Sequence, residues 1–289
     1  MRKFFIRAAA GAAVLAVGAY LAALAYLYLT QQRQVFPGKA TDSAVDAALL
    51  ERYPQMREIE YTTPDGAILT GRLLARPDSA AGPKGAPLVL YFGGNADVSE
   101  QFLLDAPEDL PGCSIAALDY RGYGESTGVA SEAALKADAL LIYDRLTAAS
   151  GEFGRTGRSG VVVMGRSLGT ALAAHVAANR EVAALVLVTP FDSIRAVGQE
   201  RHPLIPVGLL LKNPFDVLPD AARVTAPTLV LIAASDATVP PEHARRLAAA
   251  WHGPLKTVTL AGDHDTILTN SDYWPTIRNF LRENGAEPK

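Results

Sequence analysis

Ser167 stands at the centre of Gly165-Arg166-Ser167-Leu168-Gly169. A β-type apolar run at residues 161–164 precedes this pentapeptide, and a helix-forming stretch at 170–178 follows it. In strand–turn–helix context Gly-x-Ser-x-Gly makes a tight turn that lifts the serine above a sheet. A side chain at either flanking position would collide with the neighbouring strand or helix, and glycine tolerates the strained backbone. Ser167 is therefore the candidate nucleophile. Its hydroxyl needs a base within hydrogen-bond reach, and the base needs an orienting carboxylate.

The chain offers five histidines for the base. His175 lies on the helix after Ser167 and reads as structural. His243 and His252 lie on or beside a polar helix and read as solvated, and His202 sits in a loop-rich segment. His264 differs: it follows the last expected strand, in Ala261-Gly262-Asp263-His264-Asp265, before the C-terminal helix. Asp236, in Ala234-Ser235-Asp236-Ala237-Thr238-Val239-Pro240, follows the strand at 228–232 and is the candidate acid. Asp192 is the alternative, whereas Asp263 and Asp265 are too near His264 in sequence. An oxyanion hole needs two backbone N–H donors. Leu168, next to the nucleophile, supplies one; Asn95, in the loop Gly93-Gly94-Asn95, supplies the other, with Gly94 next in order. A plain glycine turn is the competing reading of that loop.

These residues must be positioned by a sheet. Residues 58–61 and 68–74 flank Pro64-Asp65-Gly66 as an opening hairpin. Residues 79–86 read as a Gly/Ala/Pro-rich loop. The continuous apolar runs at 88–92, 115–118, 161–164, 184–188 and 228–232, with a further strand at 256–260, mark strands of a parallel sheet buried on both faces. Helical spacing joins Leu135, Ala139, Ile142 and Leu146, then Leu247, Ala248 and Trp251, then Trp274, Ile277, Phe280 and Leu281. Such alternation predicts an α/β fold with a doubly wound, mostly parallel sheet in one domain. In such sheets sites gather at the carboxyl ends of the strands, where every candidate above falls.

Composition narrows the function. Of 289 residues 49% are hydrophobic and the net charge is −3, so the chain has a core and no basic stripe; nucleic-acid binding is excluded. One cysteine, Cys113, excludes an internal disulfide framework and a cysteine-built zinc cluster, and it reads as a small buried hydrophobe. Gly122-x-Gly124 resembles part of a dinucleotide fingerprint, but the third glycine is Gly128, one residue too late, and no helix follows at once. No metal or organic cofactor is expected.

Residues 8–29 carry no charge. As a helix they span roughly 30 Å, the hydrocarbon thickness of a bilayer. Arg2, Lys3 and Arg7 precede them, which favours a cytoplasmic N-terminus and a catalytic domain on the opposite, periplasmic side. The alternative is a signal peptide cleaved near Ala23-Leu24-Ala25, releasing a secreted protein. The expected organisation is an anchor at 1–30, a linker at 31–55 and a catalytic domain at 56–285.

Taken together, Tyr91-Phe92-Gly93-Gly94-Asn95, Asp119-Tyr120-Arg121-Gly122-Tyr123-Gly124, the Gly165–Gly169 pentapeptide, Ser235-Asp236-Ala237-Thr238-Val239-Pro240 and Gly262-Asp263-His264-Asp265 resemble the α/β-hydrolase superfamily. More narrowly they resemble its anchored serine hydrolases, a group that includes the α/β-hydrolase-domain depalmitoylases and bacterial relatives. The resemblance covers residues 58–281. It implies a Ser167–His264–Asp236 triad, a structural loop at 119–128 near the nucleophile, and hydrolysis of esters or thioesters through an acyl-enzyme. Two positions depart from the pattern: Gly93 stands where the loop has histidine, and a hydrophobic helix replaces the depalmitoylases' N-terminal cysteine cluster.

The stretch between Val188 and Thr228 has room for a small lid. Within it Leu204, Ile205, Val207, Leu209, Leu210 and Leu211 form an apolar patch. It reads either as core or as a groove for an acyl chain, and the expected partner is a small-molecule or lipid-like acyl substrate. A serine peptidase on the same fold and a non-catalytic membrane-tethered binding protein are the alternatives.

Overall fold

The computed structural model describes residues 2–76, 86–148 and 160–286. The chain begins with a long helix, α1 (Arg2–Val35), and a short one, α2 (Ser43–Arg52), then a hairpin of β1 (Arg57–Thr62) and β2 (Ile68–Leu74). Next come β3 (Leu88–Phe92), α3 (Ser99–Asp109), β4 (Ser114–Leu118), α4 (Glu132–Thr147), β5 (Val161–Arg166), α5 (Leu168–Asn179) and β6 (Ala184–Val188). Three short helices, α6 (Ile194–Arg201), α7 (Val207–Leu210) and α8 (Leu218–Ala221), form the excursion before β7 (Thr228–Ala233). Helix α9 (Pro241–Ala249), β8 (Leu255–Leu260) and α10 (Tyr273–Glu283) complete the fold. Apart from Ala86, the loop expected at 79–86 lies outside the described residues.

The eight strands make one sheet in the order β1-β2-β4-β3-β5-β6-β7-β8. Among the described strands only the β1–β2 and β2–β4 pairs are antiparallel. From β4 to β8 every pair is parallel. Strands β3, β4, β5, β6 and β7 are buried at every position, as their unbroken apolar sequences require. Their side chains alternate between two cores. Leu90, Phe92, Val163 and Leu187 face α4 and α5, while Val89, Tyr91, Met164 and Val186 face α3 and α10. The arrangement is the α/β-hydrolase sheet with a small lid, preceded by one long apolar helix.

Helix starts follow local chemistry. Ser131 caps α4 through Ala134 N–H (3.2 Å), and Ser193 caps α6 through Ala196 N–H (3.0 Å). Two elements differ from the sequence reading. Helix α3 was not expected, because acidic residues interrupt its apolar positions Leu103 and Ala106 and Pro107 lies inside it. Trp251 falls beyond the end of α9. Within residues 31–55, expected as a linker, Gln31, Phe36, Leu49 and Tyr53 are buried, and Phe36 packs edge-on against Phe215 at 5.9 Å.

Helix α1 is long and apolar enough to cross a membrane. Its outward face carries large hydrophobic side chains: Val14, Leu15 and Leu29 are each more than 70% exposed. Water is a poor solvent for such a face, and a bilayer a good one.

Candidate active site

Ser167 occupies the turn between β5 and α5 with φ 49° and ψ −116°, a left-handed backbone that a side-chain-bearing residue adopts only under constraint. The constraint is local. Ser167 N–H donates to Val188 O at 2.9 Å. A Cβ on Gly165 would lie 2.4 Å from Gly169 O, and one on Gly169 would lie 2.0 Å from Phe92 O. Both glycines are thus required by the closeness of strand, turn and helix.

The turn presents Ser167 Oγ to His264 Nε2 at 2.9 Å, and His264 Nδ1 meets Asp236 Oδ2 at 2.7 Å. The other carboxylate oxygen, Asp236 Oδ1, accepts from the N–H groups of Thr238 (2.8 Å) and Val239 (2.7 Å). Those two bonds fix the carboxylate plane and leave Oδ2 for the imidazole. Asp236 and His264 are both buried. An ionised carboxylate can only accept, so the proton on the ring sits on Nδ1 and Nε2 is free to accept from the serine. The geometry brings the three sequence candidates together in one relay.

Leu168 opens α5, so its N–H is among those with no partner inside the helix. In the facing loop, Gly94 N–H is engaged by Asp97 Oδ2 at 2.7 Å, beside the N–H of Asn95. Asn95, Ser167 and Leu168 line the same cavity. Two tyrosines from the segment after β4 clamp the loop: Tyr120 OH donates to Gly93 O (2.7 Å) and Tyr123 OH to Asn95 O (2.8 Å). Burial pushes the Tyr123 phenol up to about 12, so it stays a donor.

Sequence reasoning missed Arg166. Its Nη1 donates to Asp97 Oδ1 (2.8 Å) and Oδ2 (2.9 Å), and its Nη2 to His264 O (3.3 Å) and to the Asp265 carboxylate. One guanidinium therefore ties the glycine loop to the histidine loop, directly behind the serine. Burial opposes its charge, and Asp97 more than restores it, so its pKa is raised. The available signal was a charged residue at the end of a buried strand, which must find partners.

The remaining histidines sort by partner. His175 bonds Asp220 at 3.0 Å, a structural contact. His243, expected to be solvated, is fully buried: its Nδ1 lies 2.7 Å from Asp192 Oδ1, and Arg246 Nε donates to Asp192 Oδ2 at 2.7 Å. This pairing uses the polar helix face inward and occupies Asp192, the alternative acid, away from His264. His202 caps the end of α6 and lines the cavity.

The cavity has a volume of about 290 Å³. Ser167 and Leu168 form its floor. The lid lines one side with Ile194 and Val197 from α6, Ile205, and Val207 and Leu210 from α7. Leu27, Gln31 and Val35 of α1 line another side. The apolar patch of the sequence thus divides: Ile205, Val207, Leu210 and Leu211 turn into the cavity, whereas Leu204 and Leu209 are 85% and 86% exposed.

The sequence profile of a family described as serine hydrolase matches residues 153–283. An uncharacterised protein of Mycobacterium tuberculosis is 32% identical over 280 residues, covering 94% of this chain and 95% of that protein. The lysophosphatidylserine lipase ABHD12 of Rattus norvegicus is 28% identical over 186 residues, 56% of this chain and 44% of that one. Among solved structures, an esterase of Pyrococcus furiosus superposes with a TM-score of 0.67 over 86% of this chain and 97% of its own, at 18% identity, a likeness of fold alone.

Proposed function

Because the chain belongs to the α/β-hydrolase superfamily, in its membrane-associated ABHD-like group of serine hydrolases, we propose that it cleaves carboxylic esters or thioesters of lipid-like acyl groups through an acyl-enzyme. The carrying observation is the Asp236–His264–Ser167 relay opening onto a cavity with mainly aliphatic walls. His264 Nε2 takes the hydroxyl proton as Ser167 Oγ attacks the carbonyl carbon, and Asp236 stabilises the imidazolium. The Asn95 and Leu168 N–H groups receive the oxyanion. His264 then protonates the leaving group, and water repeats the cycle on the acyl-enzyme.

Aliphatic walls suit the hydrocarbon of an acyl chain, since each buried methylene contributes about 0.8 kcal/mol. Similarity to a protein named as a lipase supports the same substrate class. In this proposal residues 1–30 are the anchor, and the charges Arg2, Lys3 and Arg7 hold the N-terminus in the cytoplasm. The catalytic domain at 56–285, joined by 31–55, then works across the membrane. Ser167→Ala is expected to abolish both p-nitrophenyl ester hydrolysis and labelling by a fluorophosphonate probe. Undiminished labelling of that variant refutes the assignment of the nucleophile.

A further inference from the structure

Helix α1 does more than lie in a bilayer. Leu27, Gln31 and Val35 recur every fourth residue, so they form one stripe on the helix, and all three line the cavity above Ser167. The apolar run ends at Leu29. The cavity therefore begins where the apolar span ends.

Gln31 is the fastening. It is buried, and both ends of its amide are used: Nε2 donates to Tyr28 O (3.0 Å) and to Leu210 O (3.0 Å), and Oε1 accepts from Lys212 N–H (2.7 Å). Two of those bonds cross from α1 to the lid, one to the last residue of α7 and one just after it. Burying a primary amide beside aliphatic walls is costly unless its hydrogen bonds are met, and here they are. Further contacts run along the same seam. Tyr20 OH donates to Leu204 O at 2.7 Å, and Lys212 Nζ sits 4.3 Å over the Tyr28 ring. Tyr20 lies well inside the apolar segment, so the lid tip at exposed Leu204 meets α1 within its apolar stretch.

We infer that α1 is a wall of the acyl-binding site: Leu27 and Val35 set the room for the acyl chain, and Gln31 is the positioning residue that latches the lid against them. Resting on the ester-hydrolase reading, this assigns chain-length selectivity to the anchor. An acyl chain lies between α1 and α6–α7 with its carbonyl at Ser167. The seam between helix and lid leads from the leaflet to the serine.

The test uses the full chain in detergent micelles and p-nitrophenyl acetate, butyrate, octanoate and palmitate. Leu27→Trp and Val35→Trp fill the cavity from the α1 side. Each methylene denied its place lowers kcat/KM by roughly fourfold, so octanoate and palmitate are expected to fall tenfold or more relative to acetate. Leu29→Trp, on the exposed face of the same helix (76%), is expected to leave the whole series unchanged. Gln31→Leu keeps the bulk but removes the latch; it is expected to flatten chain-length preference while acetate turnover persists. A second reading of the cavity comes from quenching of the introduced tryptophans by a brominated acyl inhibitor bound at Ser167. The inference is overturned if Leu27→Trp and Val35→Trp reproduce the parent chain-length series, or if the tryptophans are not quenched. Loss of acetate hydrolysis by the parent protein would instead defeat the underlying esterase reading.

Discussion

Arg166→Met tests whether the two active-site loops are held as one unit. Arg166 is buried with a side-chain exposure of 9%, and its partner Asp97 retains 24%. Hydrogen bonds to charged groups contribute about 1.5–3 kcal/mol each, and removing one member of a buried ion pair costs about 3–5 kcal/mol because the other charge is stranded. Water reaching Asp97 recovers part of that, and the bond to Asp265, whose side chain is 83% exposed, adds little. The expected loss is about 2–3 kcal/mol, or a fall in Tm of about 5–10 °C for a domain of this size. Catalysis suffers separately. Asp97 holds Gly94 N–H, so freeing Asp97 loosens the turn that aims Asn95. Full loss of an oxyanion donor costs about 10²–10³ in kcat, and a misaimed one is expected to cost roughly 10- to 100-fold in kcat with KM for acetate unchanged. The assay pairs thermal unfolding with steady-state hydrolysis for Arg166→Met, Asp97→Asn and the double variant. Asparagine still accepts from Gly94, so the single Asp97→Asn is the milder change. In the double variant the stranded charge is gone, and the two effects are expected to fall short of additivity by about 1–2 kcal/mol. Additive effects, or parental kcat in Arg166→Met, refute the coupling.

Two further outcomes follow from packing and charge. Gly169→Ala places a methyl 2.0 Å from Phe92 O and 2.6 Å from Gly93 O, both backbone atoms, so about 3 kcal/mol of stability and most ester hydrolysis are expected to be lost; a parental Tm with parental kcat refutes the close-approach argument. Asp119 is buried with Ser99 N–H on Oδ1 (2.8 Å), and burial, then the neighbouring Glu100, push it up to about 6. The folded state therefore holds this proton more tightly than the unfolded chain, whose carboxyl titrates near about 3.9. Its contribution is full below that value and is lost as pH rises through about 6, a swing of about 3 kcal/mol. Asp119→Asn is expected to gain on the parent by that amount between about pH 4 and pH 7 in thermal or denaturant melts, and parallel stability curves refute it.

What the sequence disclosed depended on how local the physics was. Strands β3, β5, β6 and β7 were legible because burial on both faces leaves no polar position to interrupt the run. The turn at Ser167 was legible because both glycines answer to atoms within a few ångströms of it. Asp236 and His264 were legible by their places after β7 and β8. Contacts between distant segments were not. Arg166 and Asp97 are 69 positions apart, and nothing around either residue names the other. His243 sits on a helix whose outward composition is polar, and its burial follows only from Asp192 on a different segment. Helix α3 lost its apolar rhythm to acidic residues and a proline. The lower turns of α1 carry Gln31, Gln32 and Arg33, which read as the end of a span; their second role requires the lid to be in place.

In the proposed reading the chemistry and the selectivity have separate foundations. Ser167, Asn95, Asp236 and His264 follow the carboxyl ends of β5, β3, β7 and β8, strands locked by parallel ladders across the centre and one edge of the sheet. Their spacing is set by that ladder and by Arg166, and among the described residues no hydrogen bond joins α1 to any of them. The cavity above them has no such support. Its walls are α1 and the lid, two elements outside the sheet, joined mainly through the Gln31 amide, Tyr20 and the Tyr28–Lys212 contact. A change at that seam is expected to alter which acyl chain fits while leaving proton transfer at Ser167 intact. The same separation explains why a short ester is the right control throughout: acetate needs the sheet and almost none of the cavity, whereas a long acyl chain needs both.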